Sequence, residues 1–177
     1  MGKTTLSIEY VILPMKKIYL LIITVLLSLH VKPQKINSWK ITDVVNYYSK
    51  KSDTVYVVSF WATFCRPCVG EIPFIQDITK KYSNKKVKLL LVSLDLPGYY
   101  PNKISSFAKK NGINADIVWL NETDADYFCN MIDKKWGGSI PATVIVNAAT
   151  GYKKFFEQEF KPEEFEQELK LAIGNGE

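Results

Sequence analysis

Two cysteines stand two residues apart in "WATFCRPCVGEIP", Trp61 to Pro73. A pair at this spacing has three chemistries open to it: half of a zinc site, a redox-active dithiol or a structural disulfide. A structural zinc site needs four Cys or His ligands. The chain holds three cysteines and one histidine, and the remaining candidates are Cys129 and His30, the latter inside an apolar N-terminal run. Zinc is set aside on that ground, and copper shuttling with it, because no histidine follows in the second half. A purely structural disulfide is the weaker of the two readings left, since closing so short a loop constrains the unfolded chain little. A dithiol suits the position better. Cys65 follows the apolar run "TVYVVSF" and precedes a helical pattern, so it falls at a helix N-terminus, where partial positive charge stabilises a thiolate. Arg66 adds a nearby positive charge, and Pro67 fits the first helical turn, where its missing N–H is no loss. Cys68, one turn on, is placed to resolve a mixed disulfide formed at Cys65. Glu71, three residues past Cys68, faces broadly the same side of that helix and offers a base for the Cys68 proton.

The elements that must hold these residues are legible as periods. Ile41 to Tyr48 places Val44, Val45 and Tyr48 on one helical face. Thr54 to Phe60 is an almost unbroken β-branched and aromatic run, as expected of a strand buried on both faces. "GEIPFIQDITKKY" carries Ile72, Ile75, Ile78 and Tyr82 at helical spacing, and "KVKLLLVSLDL" predicts a second buried strand ending near Asp95. Beyond the Pro97-Gly98 and Pro101 loop, Asn102 is the expected cap of a helix to Lys110. "ADIVWL" predicts a short strand, "ETDADYFCNMIDKKW" a helix led by acids, and "ATVIVN" a strand entered through Gly137 to Pro141. A turn at Ala149 to Gly151 leads to an expected strand "YKKFFEQEF", and "KPEEFEQELKLAI" to a closing helix with Pro in front and acids in its first turn. Cys129, between Phe128 and Met131, reads as a packed core thiol and not as a third redox partner.

The totals agree with a single globular domain: 177 residues, 47% hydrophobic and 23% charged. A net charge of +5, spread in Lys pairs along the chain, is too small and dispersed for a nucleic-acid surface. Near the N-terminus, Lys16-Lys17 precede the apolar run Ile18 to Leu29, the pattern of an export signal. The run is short for a membrane span, which needs about 20 residues, and no A-x-A cleavage site follows. Residues 15–33 are therefore expected to be a signal peptide or an uncleaved N-terminal anchor, with Met15 the better start and residues 1–14 an upstream extension. Localisation would be the cell envelope or periplasm.

A buried strand running into W-A-x-x-C-x-P-C, then a helix, then a distant Ile140-Pro141 opening a β-hairpin, resembles the thioredoxin fold over about residues 39–173. That resemblance implies an α/β domain with a central mixed sheet and helices on both faces. The departures from thioredoxin itself point to one branch. The buried acid that thioredoxin usually carries six residues before its first cysteine is Ser59 here, and an acid, Glu71, sits three residues after the second cysteine instead. Phe64 stands where that branch commonly has Trp, a mild change. Glu71-x-Pro73, the export signal and an extra αβ segment at about Asn102 to Leu120 are similar to the TlpA- and ResA-like thiol:disulfide oxidoreductases of the bacterial envelope. The resemblance implies Cys65, Cys68 and Glu71 as catalytic residues, with Arg66 and Pro67 tuning the dithiol. It implies a cis Pro141 beside the disulfide and the Ile140 backbone pairing with substrate peptide. Trp61 is expected as a wall beside the dithiol that contributes to substrate binding. No metal or cofactor is implied beyond the Cys65–Cys68 disulfide. The implied partners are protein disulfide substrates and a thiol electron donor. A disulfide oxidase or isomerase, or a non-catalytic binding module on the same fold, is the alternative. A peroxidase reading fails locally, because the P-x-x-x-T-x-x-C positions before Cys65 are Val58 and Ala62.

Overall fold

The computed structural model describes residues 35–174 and, ahead of them, Tyr19. The chain divides into Met1–Pro33 and Gln34–Glu177, and the fold set out here is that of the second unit. The extension expected over 1–14 and the signal or anchor expected over 15–33 lie outside the described residues, Tyr19 apart. Among the described residues no helix is long and apolar enough to cross a membrane.

The strand β2 (Val55–Trp61) is buried at every position. Its period of two sends Tyr56, Val58 and Phe60 to one face of the sheet, and Val55, Val57 and Trp61 to the other. On the first face they meet Ile41, Val44 and Tyr48 of α1 (Ile41–Tyr48) and Cys129 and Ile132 of α4 (Ala125–Ile132). On the second they meet Ile72 and Ile75 of α2 (Arg66–Lys81), Ile104 and Ala108 of α3 (Asn102–Lys110), and Phe165 and Leu169 of α5 (Pro162–Ile173). With both faces covered, the strand has no room for polar alternation, which is why it reads as one apolar run.

Parallel pairing joins β2 to β3 (Val87–Ser93), β3 to β4 (Asp116–Leu120), and β4 to β1 (Asn37–Trp39). Antiparallel pairing joins β2 to β5 (Ala142–Asn147) and β5 to β6 (Tyr152–Phe156). The sheet order is β1-β4-β3-β2-β5-β6. This is the mixed, thioredoxin-like sheet that was expected, with α3 and β4 as the extra αβ segment extending it past β3.

Three local expectations are corrected, and one strand was not expected at all. β1 is that strand: "NSW" is too short and polar to signal one, and only its pairing with β4 makes it so. The helix expected over 122–136 is α4, confined to Ala125–Ile132. Glu122 stays outside it because its Oε1 accepts the Ile41 N–H at 3.3 Å, at the start of α1. Asp124 caps α4 by accepting the Tyr127 N–H, and Asp133 leaves helical conformation (φ −154°, ψ 134°). Asn102 is the first helical residue of α3, not its cap; that place belongs to Pro101. Finally, β6 ends at Phe156 and does not reach Phe160, because its partner β5 begins only at Ala142, after Pro141, and the last pair is Thr143 with Phe156.

Candidate active site

After Trp61 the chain turns sharply, the Cys65 N–H donating to Ala62 O at 3.1 Å, and Arg66 opens α2. Cys65 occupies the cap position. Its Sγ accepts the Cys68 N–H at 3.3 Å, so sulfur takes the place of the usual Ser or Asp cap oxygen. In the reduced protein the same amide, and the positive end of the helix, would face a Cys65 thiolate. Cys65 and Cys68 form a disulfide with their Cα atoms 5.3 Å apart. Cys65 retains 8% exposure and Cys68 none, so a reagent from solution reaches only Cys65. Arg66 and Pro67 are exposed in the first turn of α2.

Opposite the dithiol, Ile140–Pro141 is a cis peptide bond, and Ile140 O lies 3.8 Å from Cys65 Sγ. The pairing of Ala142 with Phe60, one residue before Trp61, is what carries this loop to the same end of the sheet as Cys65. The structure therefore gathers Cys65, Cys68, Ile140 and Trp61 in one apolar cluster. Trp61 differs from its expected part. It is fully buried, with its ring 6.0 Å from that of Phe107, and has no surface to offer a substrate. Its place in β2 puts it on the face that α2 and α3 cover. The exposed aromatic beside Cys65 is Phe64, 66% exposed.

Glu71 lies one turn beyond Cys68 and is 1% exposed. Its Oε2 accepts the Phe160 N–H at 3.0 Å, and Oε1 is buried with no partner among the described residues. Burial pushes the carboxyl up to about 7; the Phe160 amide opposes the rise and Glu159 adds to it. Ser59, at the position of thioredoxin's buried acid, is itself buried opposite Thr143, and neither hydroxyl has a partner among the described residues.

Sequence reasoning missed a second buried carboxylate. Asp95 accepts the Thr63 N–H at both oxygens (3.1 Å each), the Thr63 hydroxyl at 2.6 Å and the Ser93 hydroxyl at 2.8 Å. Its carbonyl accepts the Trp119 indole N–H at 2.7 Å. It thus ties the turn before Cys65 to β3 and β4. The available signal was an acid at the end of an apolar strand run, where its charge needs partners. Cys129 is buried, and burial, with Glu157 and Asp126 adding, pushes its thiol up to about 11, so it stays protonated near neutral pH. Among the described residues no group of three or more His, Cys, Asp or Glu gathers as a metal site.

The AhpC/TSA family pattern matches residues 28–150, more than half of the chain. The chain belongs to the AhpC/TSA family. Within that family it is similar to the thiol-disulfide oxidoreductase ResA of Oceanobacillus iheyensis, with 46% identity over 39 residues, 22% of this chain and 20% of the relative. The ResA of Geobacillus thermodenitrificans is 24% identical over 112 residues, 63% of this chain and 59% of the relative. The chain thus spans from about a fifth to three-fifths of the length of these curated relatives. The crystal structure of a thioredoxin-related protein from Neisseria meningitidis serogroup B superposes with TM-score 0.56 and 23% identity, over 72% of this chain and 88% of that one, and shows the shared fold. The AhpC/TSA match takes in Cys65, Cys68, Glu71 and Pro141 together.

Proposed function

We propose that this protein is an exported thiol:disulfide oxidoreductase that reduces disulfides in proteins of the cell envelope or periplasm. The observation that carries this is the Cys65 sulfur at the cap of α2, accepting the Cys68 N–H at 3.3 Å above a fully buried Cys68. In the reduced protein the Cys65 thiolate attacks one sulfur of a substrate disulfide. That S–S bond breaks, its other sulfur leaves as a thiolate and takes a proton, and a mixed disulfide joins Cys65 to the substrate. Cys68 then gives up its proton and attacks Cys65 Sγ, releasing the second substrate sulfur. Two electrons have passed to the substrate, and Cys65–Cys68 is oxidised until a thiol electron donor returns them by the reverse exchange.

Each neighbouring residue has a part in this reading. Arg66 and the helix terminus favour the thiolate, and Pro67, second in the helix, lacks an N–H where none is needed. Glu71, poised near neutral pH, accepts the Cys68 proton during resolution. The Ile140 backbone, next to Cys65 Sγ, aligns the substrate peptide before Pro141, while Trp61 supports the dithiol from beneath. Support for export comes from residues 15–33, as a cleaved signal or a retained anchor.

Two experiments test the reading. The full-length protein should accelerate dithiothreitol-driven reduction of insulin, seen as B-chain precipitation. No acceleration over dithiothreitol alone, with Cys65 shown to be reduced, would leave only a binding module. A reporter active only outside the cytoplasm, fused after Glu177 and translated from Met15, should be active. A silent fusion with the protein found in the cytoplasm would remove the envelope assignment.

A further inference from the structure

The loop that carries Ile140 and Pro141 is held from outside the dithiol cluster. Glu157 lies one residue beyond the Thr143–Phe156 pair that closes β6, beside the start of β5. Its Oε2 accepts the Gly137 N–H at 3.0 Å and its Oε1 the Ser139 N–H at 2.9 Å. Both oxygens are thus used on two backbone amides of one short loop, a bidentate, charge-assisted arrangement stronger than two neutral bonds. Those amides hold the Glu157 carboxyl below its ordinary range. On the other side of the loop, the Trp136 indole N–H donates to Ser139 O at 2.9 Å, and its ring is fixed by Phe60 and Phe155 at 4.6 and 5.6 Å. Gly138 between the two amides has φ +92°, a conformation that side chains rarely adopt, and a Cβ there would lie 3.9 Å from Cys129 Sγ. At Gly137 a Cβ would lie 3.4 Å from Glu157 Oε1, at the edge of ordinary contact.

Ser139 is the residue before Ile140, whose carbonyl stands 3.8 Å from Cys65 Sγ. A shift of the Ser139 amide passes directly into the Ile140 backbone. Glu157 gives its two oxygens to Gly137 and Ser139, not to Cys65 or Cys68. We propose that Glu157 is a positioning residue that sets the Ile140–Pro141 loop for substrate peptide, governing how well a protein disulfide is held and not how reactive Cys65 is. This rests on the oxidoreductase reading above.

The distinction can be measured on the full-length protein, with insulin as the disulfide substrate. Glu157→Gln keeps one acceptor oxygen but loses the charge, and Glu157→Ala loses both acceptors. KM for insulin should rise about threefold in the first and about tenfold in the second, with kcat within about twofold, as for lost ground-state and transition-state binding alike. The Gly137 and Ser139 amides should exchange faster with solvent in both variants, and the rate of Cys65 alkylation by iodoacetamide should hold within about twofold. An unchanged KM in variants whose two amides do exchange faster would overturn the proposal. So would a fall in kcat or in Cys65 alkylation with KM unmoved, which would make the brace a support of the dithiol. If the Ala variant does not fold, the Gln variant carries the same comparison. Should the parent protein itself fail to reduce insulin while its amides are protected, the oxidoreductase reading falls and the brace stands as loop structure only.

Discussion

Replacing Cys68 with Ser should turn the protein from a turnover catalyst into a trap. Cys65 keeps the cap position, and the residue-68 N–H still points at its sulfur, because that bond comes from the backbone. Attack on a substrate disulfide proceeds, but no second sulfur follows to resolve the mixed disulfide. A covalent complex with insulin should accumulate on a non-reducing gel and disappear with dithiothreitol, while turnover falls by about a thousandfold or more, toward the background exchange rate. Cys65→Ser should lose both turnover and the trapped complex, since the remaining Cys68 is fully buried. Normal turnover by Cys68→Ser would require another resolving thiol. Cys129 is the remaining cysteine, and its thiol, pushed up to about 11, is poorly suited to the task.

Glu71→Gln should make stability less dependent on pH. A Glu carboxyl has an ordinary value of 4.5 and stands at about 7 in the folded protein, chiefly through burial. Between those values the folded chain holds a proton that the unfolded chain has released, so stability is full below the lower value and falls as pH rises through the upper one. Above pH 7 the ionised, buried carboxylate costs up to about 3 kcal/mol. Gln keeps an oxygen for the Phe160 N–H and carries no charge, so the variant should match the parent near pH 4.5 and exceed it by up to that amount at pH 8. Urea melts across this range would show the divergence; parallel curves would mean that Glu71 titrates like an exposed acid. The same variant should resolve the mixed disulfide more slowly, by roughly a hundredfold if Glu71 is the base for Cys68. An unaltered pH–rate curve would assign it to packing alone.

Local chemistry determined a large part of this protein. The C-x-P-C pair, its apolar strand and its helix are contiguous, so their periods and the cap position could be read without knowing any partner. Both faces of β2 are covered, and its unbroken apolar run says so. The same holds for α5, where Pro162 and the first-turn acids mark a start set by the helix's own unpaired amides. What the tertiary structure alone decided involves groups far apart in the chain. The "NSW" segment becomes β1 only against β4, some eighty residues on. Asp95 reaches Thr63 across 32 positions, Glu157 reaches Gly137 across 20, and Glu71 meets the Phe160 amide across 89. A carboxylate's role depends on which donors surround it, and a strand end depends on how far its partner strand runs. Neither is encoded in spacing. Trp61 makes the same point for aromatics: its identity suggested a substrate wall, but the helices α2 and α3 cover its face of β2, while Phe64, beyond the strand, is at the surface. Residue type thus placed the Cys65–Cys68 pair, whereas burial raises the proton affinity of Glu71 and long-range contacts to Glu157 hold the loop facing Cys65.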